Sequence, residues 1–430
     1  MVTAVIARLR SVHYAWVVAA VTFLTLLAAA GFRSTIGVFV VPLQDEFGWG
    51  RDQVSVAISI NLLCYGLVAP FAAALVERLG TRRVMAGALV AIAVGSALTV
   101  LITALWQLDL LWGAVIGLST GSVAIPLSAI VATRWFVRHR GLVTGLMAAS
   151  FATGNLIFLP LLAWITEAQG WRWAAAVVAI VAGAIVPIVL LLMRERPEDV
   201  GVLPLGATVA TPHPPPPAES AFRRPLTVLR DAARVRDFWL LAGTFFVCGW
   251  TTNGAVQYHF IPAAHDHHIP EVTAAGLLAL IGLFDIVGST TSGWLTDRAD
   301  PRRLLFAYYS LRGISLAFLP YLLSAPRGTL IAFAVLYGLD WVATVPPTVA
   351  LTNTVFGRER AGVVFGWIFA AHMIGGAAAA YVAGAARTTF GNYVIAFVGG
   401  GLLAVLAGFA SLTIARDSRR TVPPAVPELA

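Results

Sequence analysis

Five ionisable side chains interrupt apolar stretches of this sequence: Arg33, Asp285, Arg312, Asp340 and His372. A guanidinium grips a carboxylate through two parallel hydrogen bonds. Arg33, beside Ser34 and Thr35, therefore reads as a ligand for an organic anion, against the plainer alternative of an arginine snorkelling to lipid headgroups. Arg312 reads as a structural counter-ion of Asp285 or Asp340. His372 has the chemistry of a proton relay, or of a satisfied polar residue packed on Gly375 and Gly376. The two arginines and two aspartates sum to zero. An anion bound at Arg33 adds an uncompensated negative charge unless one carboxylate takes up a proton. Tyr337 and Trp250, with Trp16, Phe32, Tyr65, Tyr258 and Trp341, are candidates to stack an apolar or aromatic substrate. His259 and the run His265-Asp266-His267-His268 have metal-binding chemistry, but their spacing is loose and favours a solvated loop, with no metal expected.

These residues need elements to hold them, and composition says which kind. The 430 residues are 59% hydrophobic and only 12% charged. A soluble average is about a quarter charged, so the chain reads as a helical membrane protein. About twelve runs are long enough to cross hydrocarbon: 14–41, 54–76, 84–106, 109–133, 141–165, 172–193, 237–260, 272–295, 303–323, 328–352, 362–384 and 392–415. The first is too long for a signal sequence and reads as a retained helix, although Ala28-Ala29-Ala30 resembles a cleavage site. Asp109 is expected to cap the fourth span. Gly113, Gly117 and Gly121, four apart, are expected to allow close helix contact there. Cys64 and Cys248 both lie in apolar runs, which argues against a disulfide framework.

All 29 basic residues are arginine. With the N-terminus inside, 23 fall on the cytoplasmic side and four outside, Arg51, Arg172, Arg327 and Arg387; two lie within spans. This asymmetry implies both termini cytoplasmic and explains the basic charge without nucleic acid. The polar stretch from about 194 to 236, with Pro214 to Pro217, reads as a linker unable to pack a core. The expected organisation is a six-helix half over 1–200, a cytoplasmic linker over 201–236, a second half over 237–417 and a tail over 418–430.

The halves match at an offset of 220. Leu75-Val76-Glu77-Arg78 with Arg82-Arg83 recurs as Leu295-Thr296-Asp297-Arg298 with Arg302-Arg303; Pro42 and Pro126 recur as Pro262 and Pro346. The offset then becomes 221, pairing Gly145, Gly154 and Gly170 with Gly366, Gly375 and Gly391. Each pair falls on the same membrane side, which makes the repeat parallel.

The loop Leu75 to Arg83, with Gly80, resembles the G-x-L-x-D-R-x-G-x-R-R signature of the major facilitator superfamily. The copy from Gly293 to Arg303 keeps the first Gly and Asp297 but has Asp300 in place of the second Gly. Arg134-Trp135-Phe136 through Leu146 resembles the fifth-helix signature of monocarboxylate transporters. Gly154, Gly170-Trp171-Arg172 and Met193 to Gly201 follow as in bacterial members and the oxalate/formate antiporters. The resemblance implies an all-α, twelve-helix fold in two six-helix repeats, working by alternating access. It makes Glu77, Arg78, Gly80, Arg82, Asp297, Arg298 and Arg302 a gate motif, in which the acid pairs with a helix N-terminus or an arginine. Helices one, four, seven and ten then line the cavity, which exposes Arg33 and Asp340 as substrate ligands, and Arg312 falls on an outer-packing helix. Asp285 falls on the family's eighth-helix aspartate, a proton-coupling position, but Ser289 stands where the family has an arginine four residues later.

The expectation is thus an inner-membrane transporter, not an enzyme. It takes a small organic anion by proton symport, with protons and the lipid bilayer as its partners, as a monomer and without a cofactor. Proton-antiport efflux of a drug or amphipathic metabolite is the alternative, and a non-transporting sensor a third reading. No phosphate loop is present, so the energy source is expected to be a gradient.

Overall fold

The computed structural model describes residues 13–123, 125–208 and 222–415. Apolar runs become helices because hydrocarbon offers the backbone no other hydrogen-bond partner. Among the described residues twelve follow in order: α1 (Tyr14–Phe47), α2 (Arg51–Leu79), α3 (Thr81–Thr99), α4 (105–123 and 125–135), α5 (Arg140–Gln169), α6 (Trp171–Leu192), α7 (236–266), α8 (Glu271–Thr296), α9 (Pro301–Leu322), α10 (327–356), α11 (Arg358–Phe390) and α12 (Val394–Ser411). Eight candidate spans among the described residues are long and apolar enough to cross a membrane. The chain enters at Tyr14 and leaves at Ser411 on one end of the bundle, here called the near end; the other is the far end.

Three helices are interrupted. In α4 a π turn covers Asp109–Ile116; in α7 another covers Trp250–Val256; α10 breaks between Arg327–Asp340 and Val345–Phe356. Each interruption frees carbonyls that need donors. The Asn61 amide on α2 donates to Trp112 O at 2.6 Å. The Tyr337 hydroxyl donates to Thr251 O at 2.9 Å. At the α10 break, Arg312 reaches Trp341 O at 3.2 Å and Ser292 Oγ donates to Ala343 O at 2.5 Å. Asp109 lies inside α4, which begins at Leu105, so it is not the cap expected from the sequence. Gln107 takes that role, accepting from Thr103 N and Ala104 N.

The glycine stripe of α4 meets α2 as expected. A Cβ at Gly117 would stand 2.8 Å from Asn61 O, and one at Gly121 2.6 Å from Tyr65 O.

The polar stretch after α6 is more structured than its composition suggests. Leu205 N donates to Trp135 O and Leu205 O accepts from Val137 N, tying the stretch back to the end of α4. A helix then forms over Arg223–Ala232, because Pro225, Val228, Leu229 and Ala232 supply one apolar face. Residues 209–221, with the proline run, lie outside the described part.

Candidate substrate and coupling site

Arg33 sits on α1 and is buried, at 5% exposure, facing the second half rather than lipid. Snorkelling is thereby set aside. Its Nη2 donates to the Tyr258 hydroxyl on α7 at 3.5 Å, and its guanidinium carbon lies 4.6 Å from the Tyr65 ring centre on α2. Two tyrosines from different halves therefore hold one arginine at the seam. A cation on a ring face gains from the ring quadrupole, which offsets part of its desolvation.

One residue before Tyr258, Gln257 enters a small pocket with Asn155 of α5, Asp285 and Gly282 of α8, and Trp341 of α10. The pocket has room for about one water molecule. Gln257 is buried, and its Nε2 has no hydrogen-bond partner among the described residues. A buried donor without an acceptor is costly, so this amide is a ready partner for an incoming polar group. Asp285 is buried, and its Oδ1 accepts from Val342 N at 2.9 Å, across the α10 break. The sequence reading singled out Asp285 but missed Gln257 and Asn155. Their signal was available: both are amides in the middle of apolar runs.

Arg312 is one of the largest fully buried side chains. Its Nε donates to Asp340 Oδ2 at 2.7 Å, Nη2 to the Asp340 carbonyl, and Nη1 to Cys248 Sγ at 3.0 Å. Of the two expected partners, it takes Asp340. That arrangement holds Asp340 inside the second half, on the break of α10. Tyr337 is equally engaged, between its bond to Thr251 O and its stacking on Phe333. Trp250, on the π turn of α7, has its ring against Gly400 of α12.

His372 has both ring nitrogens engaged, one 2.9 Å from Asn253 Nδ2 and one 3.2 Å from Phe245 O. The packed, satisfied reading fits this geometry. The histidine run at the far end is split. His267 faces Ala263 O, His265 lies 3.5 Å from Glu271, and Asp266 turns to arginines. Arg51, from the first half, binds both Asp266 oxygens at 2.7 and 2.8 Å and the Tyr393 hydroxyl at 2.7 Å. Arg387 Nε adds a third bond to Asp266 at 2.6 Å. Burial alone would raise the Asp266 carboxyl, but the bonds from Arg387 and Arg51 outweigh it and hold it below the ordinary aspartate range. This clamp closes the far end between the halves.

At the near end the two repeated loops differ in a compensating way. Gly80 has φ +86°, and a Cβ there would lie 2.7 Å from Glu195 Oε1. Glu195 caps α3, accepting from Thr81 N at 2.7 Å and Arg82 N at 2.9 Å. In the second copy Asp300 caps α9 itself, through Arg302 N at 3.1 Å, and pairs with the Arg302 side chain at 2.8 Å. The departure at Asp300 thus supplies in place the carboxylate that Glu195 brings to the first copy. Asp297 is exposed at the end of α8, while Arg298 folds back to Trp294 O and lies over the Trp294 ring. Arg78 lies over Phe222. Glu77 falls in the last turns of α2, and its side chain lies outside the described residues.

A twelve-helix bundle in two repeats, with buried charge at the seam, defines a membrane transporter rather than an enzyme. Residues 21–380 match the family model of the Major Facilitator Superfamily, and the chain belongs to that family. Among its relatives is an uncharacterized MFS-type transporter, YcxA, of Bacillus subtilis, 24% identical over 374 residues, covering 86% of this chain and 87% of that protein. Another is monocarboxylate transporter 13 of Rattus norvegicus, 27% identical over 429 residues, covering 94% and 92%. The fold is similar to the inward-open xylose transporter XylE from E. coli, at TM-score 0.70 and 13% identity, over 94% of this chain and 97% of that one. It is also similar to an inward-facing, occupied bacterial homologue of the human lysosomal transporter Spinster, at TM-score 0.68 and 17% identity, over 94% and 98%.

Proposed function

We propose that this protein carries a small organic anion of monocarboxylate type together with a proton, by alternating access. It would do so as a monomer in the inner membrane, with both termini cytoplasmic. The observation that carries this reading is Arg33, buried at the seam beside the pocket that holds Gln257 and Asp285. Arg312 and Asp340 neutralise each other within the second half, which leaves Arg33 and Asp285 as the pair that substrate binding can unbalance. An anion on Arg33 makes that pair net negative in low dielectric, and a proton on Asp285 restores neutrality. Proton and anion then bind with positive coupling, and the coupling is reciprocal. The clamp of Arg51 and Asp266 supports closure of the far end, which this reading takes as the outer face.

Ser289 supports the alternative, proton-antiport efflux. It bonds back to Asp285 O at 2.7 Å and brings no second positive charge to α8.

The test is affinity for a panel of short monocarboxylates, scored by thermal shift of the purified protein at about pH 5.5 and 7.5. Under the anion reading, binding tightens at the lower pH in the parent. Arg33→Ala abolishes it while folding survives, and Asp285→Asn keeps binding but flattens its pH dependence. Carboxylate binding that survives Arg33→Ala sinks the anion site, and an unchanged pH profile in Asp285→Asn removes Asp285 from coupling. Selective binding of amphipathic cations instead selects efflux.

A further inference from the structure

The helix Arg223–Ala232 between the halves has a layout that the transport cycle does not require. Its apolar face carries Pro225, Val228, Leu229 and Ala232 against the bundle. Arg223 and Arg230 lie two turns apart on the opposite face, Arg234 follows in the turn just past the helix end, and all three are exposed. Leu226, on the flank between those faces, is 53% exposed. Trp239 follows at the start of α7, 61% exposed, with its Nε1 donating to Ala233 O at 2.8 Å. An apolar flank edged by arginines, with an indole beside it, is the layout of a helix lying in the headgroup layer. The neighbouring acid does little to satisfy the stripe: Arg230 stands 3.7 Å from Asp231 with both side chains largely in solvent, and such a pair is weak.

The same helix is fastened to both halves. Phe222 stacks on Phe71 of α2 at 6.4 Å and lies under the Arg78 guanidinium at 5.2 Å. Pro225 O accepts from Trp367 Nε1 of α11 at 2.8 Å, and the Trp367 ring meets Phe71 edge-on at 5.8 Å. Contacts with α2 and α11 therefore fix the helix at the near end of the seam between the halves.

We propose that Arg223, Arg230 and Arg234 form a binding surface for anionic lipid headgroups. Lipid held there stabilises the linker helix on the seam between α2 and α11. The partner is an anionic lipid rather than a free anion, because the arginine stripe adjoins Leu226 and Trp239, which a soluble anion would leave in water. Basic residues near an anionic leaflet gain about fivefold in association each.

The test places the full-length protein in phosphatidylcholine vesicles with or without about 30 mol % phosphatidylglycerol. A bimane label on Leu226→Cys reports quenching by nitroxide carried on one or the other headgroup class, with the signal from Cys64 and Cys248 in the parent subtracted. Quenching severalfold stronger from phosphatidylglycerol is expected, together with a higher melting temperature in the mixed vesicles. Replacing Arg223, Arg230 and Arg234 by Gln should equalise the two quenchers and remove the rise. Equal quenching in the arginine-bearing protein overturns the proposal, as does a phosphatidylglycerol effect that persists in the triple Gln variant. Inorganic phosphate in detergent that reproduces the melting rise also overturns it, in favour of a soluble anion. Phe222→Ala should keep the headgroup preference but lose the melting rise, since it cuts the link from helix to seam.

Discussion

Arg312 on α9 and Asp340 on α10 form a buried ion pair at 2.7 Å, placed where the α10 ladder breaks. The arginine covers a carboxylate and two freed carbonyls at once, Asp340 O and Trp341 O. Removing one partner of such a pair leaves a buried charge and costs about 3–5 kcal/mol. Arg312→Ala should therefore sharply reduce folded yield and melting temperature. Adding Asp340→Asn should recover part of the loss, and adding Asp285→Asn should not. Normal folding of Arg312→Ala with selective loss of substrate affinity would make Arg312 a ligand instead.

The far-end clamp should be insensitive to pH through the neutral range. The Asp266 carboxyl is held below its ordinary value, so its contribution is full above that value and disappears as pH falls through the depressed one. Ser59 lies at the seam, its hydroxyl donating to Ala377 O of α11. Labelling of Ser59→Cys by an impermeant maleimide, divided at each pH by the labelling of a free thiol so that thiolate reactivity cancels, should be flat from about pH 8 to 5 and rise below about pH 4. Asp266→Asn should raise labelling severalfold at all these values. A parent whose labelling climbs between pH 7 and 5 would show that another group seals this end.

Gln257 should give effects of opposite sign on stability and binding. Its Nε2 is buried without a partner among the described residues, so Gln257→Leu removes an unsatisfied donor and should raise the melting temperature of the ligand-free protein. The same change should weaken anion binding about tenfold, through loss of one hydrogen bond of about 1.4 kcal/mol. An unchanged affinity would remove Gln257 from the site.

The repeated near-end loops should respond unequally. Gly80→Ala forces a side chain into a left-handed backbone and against Glu195, costing about 1–3 kcal/mol in thermal stability. At the equivalent Asp300, Ala should cost about 1 kcal/mol, the loss of a helix cap. Asp297→Asn should leave stability unchanged, because Asp297 is exposed, and shift the ratio of outward- to inward-open forms read by cysteine accessibility from both sides. An unchanged ratio would reduce the motif to capping.

Composition and periodicity determined the membrane class, the twelve helices and the repeat, because crossing hydrocarbon imposes length and apolarity on every span separately. The glycine stripe of α4 was legible for a related reason, since contacts four residues apart lie on one helix face. The buried charges were also legible, since an ionisable group in an apolar run stands out wherever it folds. Which charge meets which was not. Arg312 is 28 positions from Asp340 and 27 from Asp285, and only the α10 break turns Asp340 and its freed carbonyls toward it. Arg51 and Asp266 are 215 positions apart, and the docking of the halves alone makes them a clamp. Trp250 lays its ring against Gly400 of α12, and the linker helix rests its apolar face on α11 and its second-half neighbours, a surface that only the folded second half provides. A sequence sets the cost of burying each group; the tertiary packing decides which partner offsets that cost.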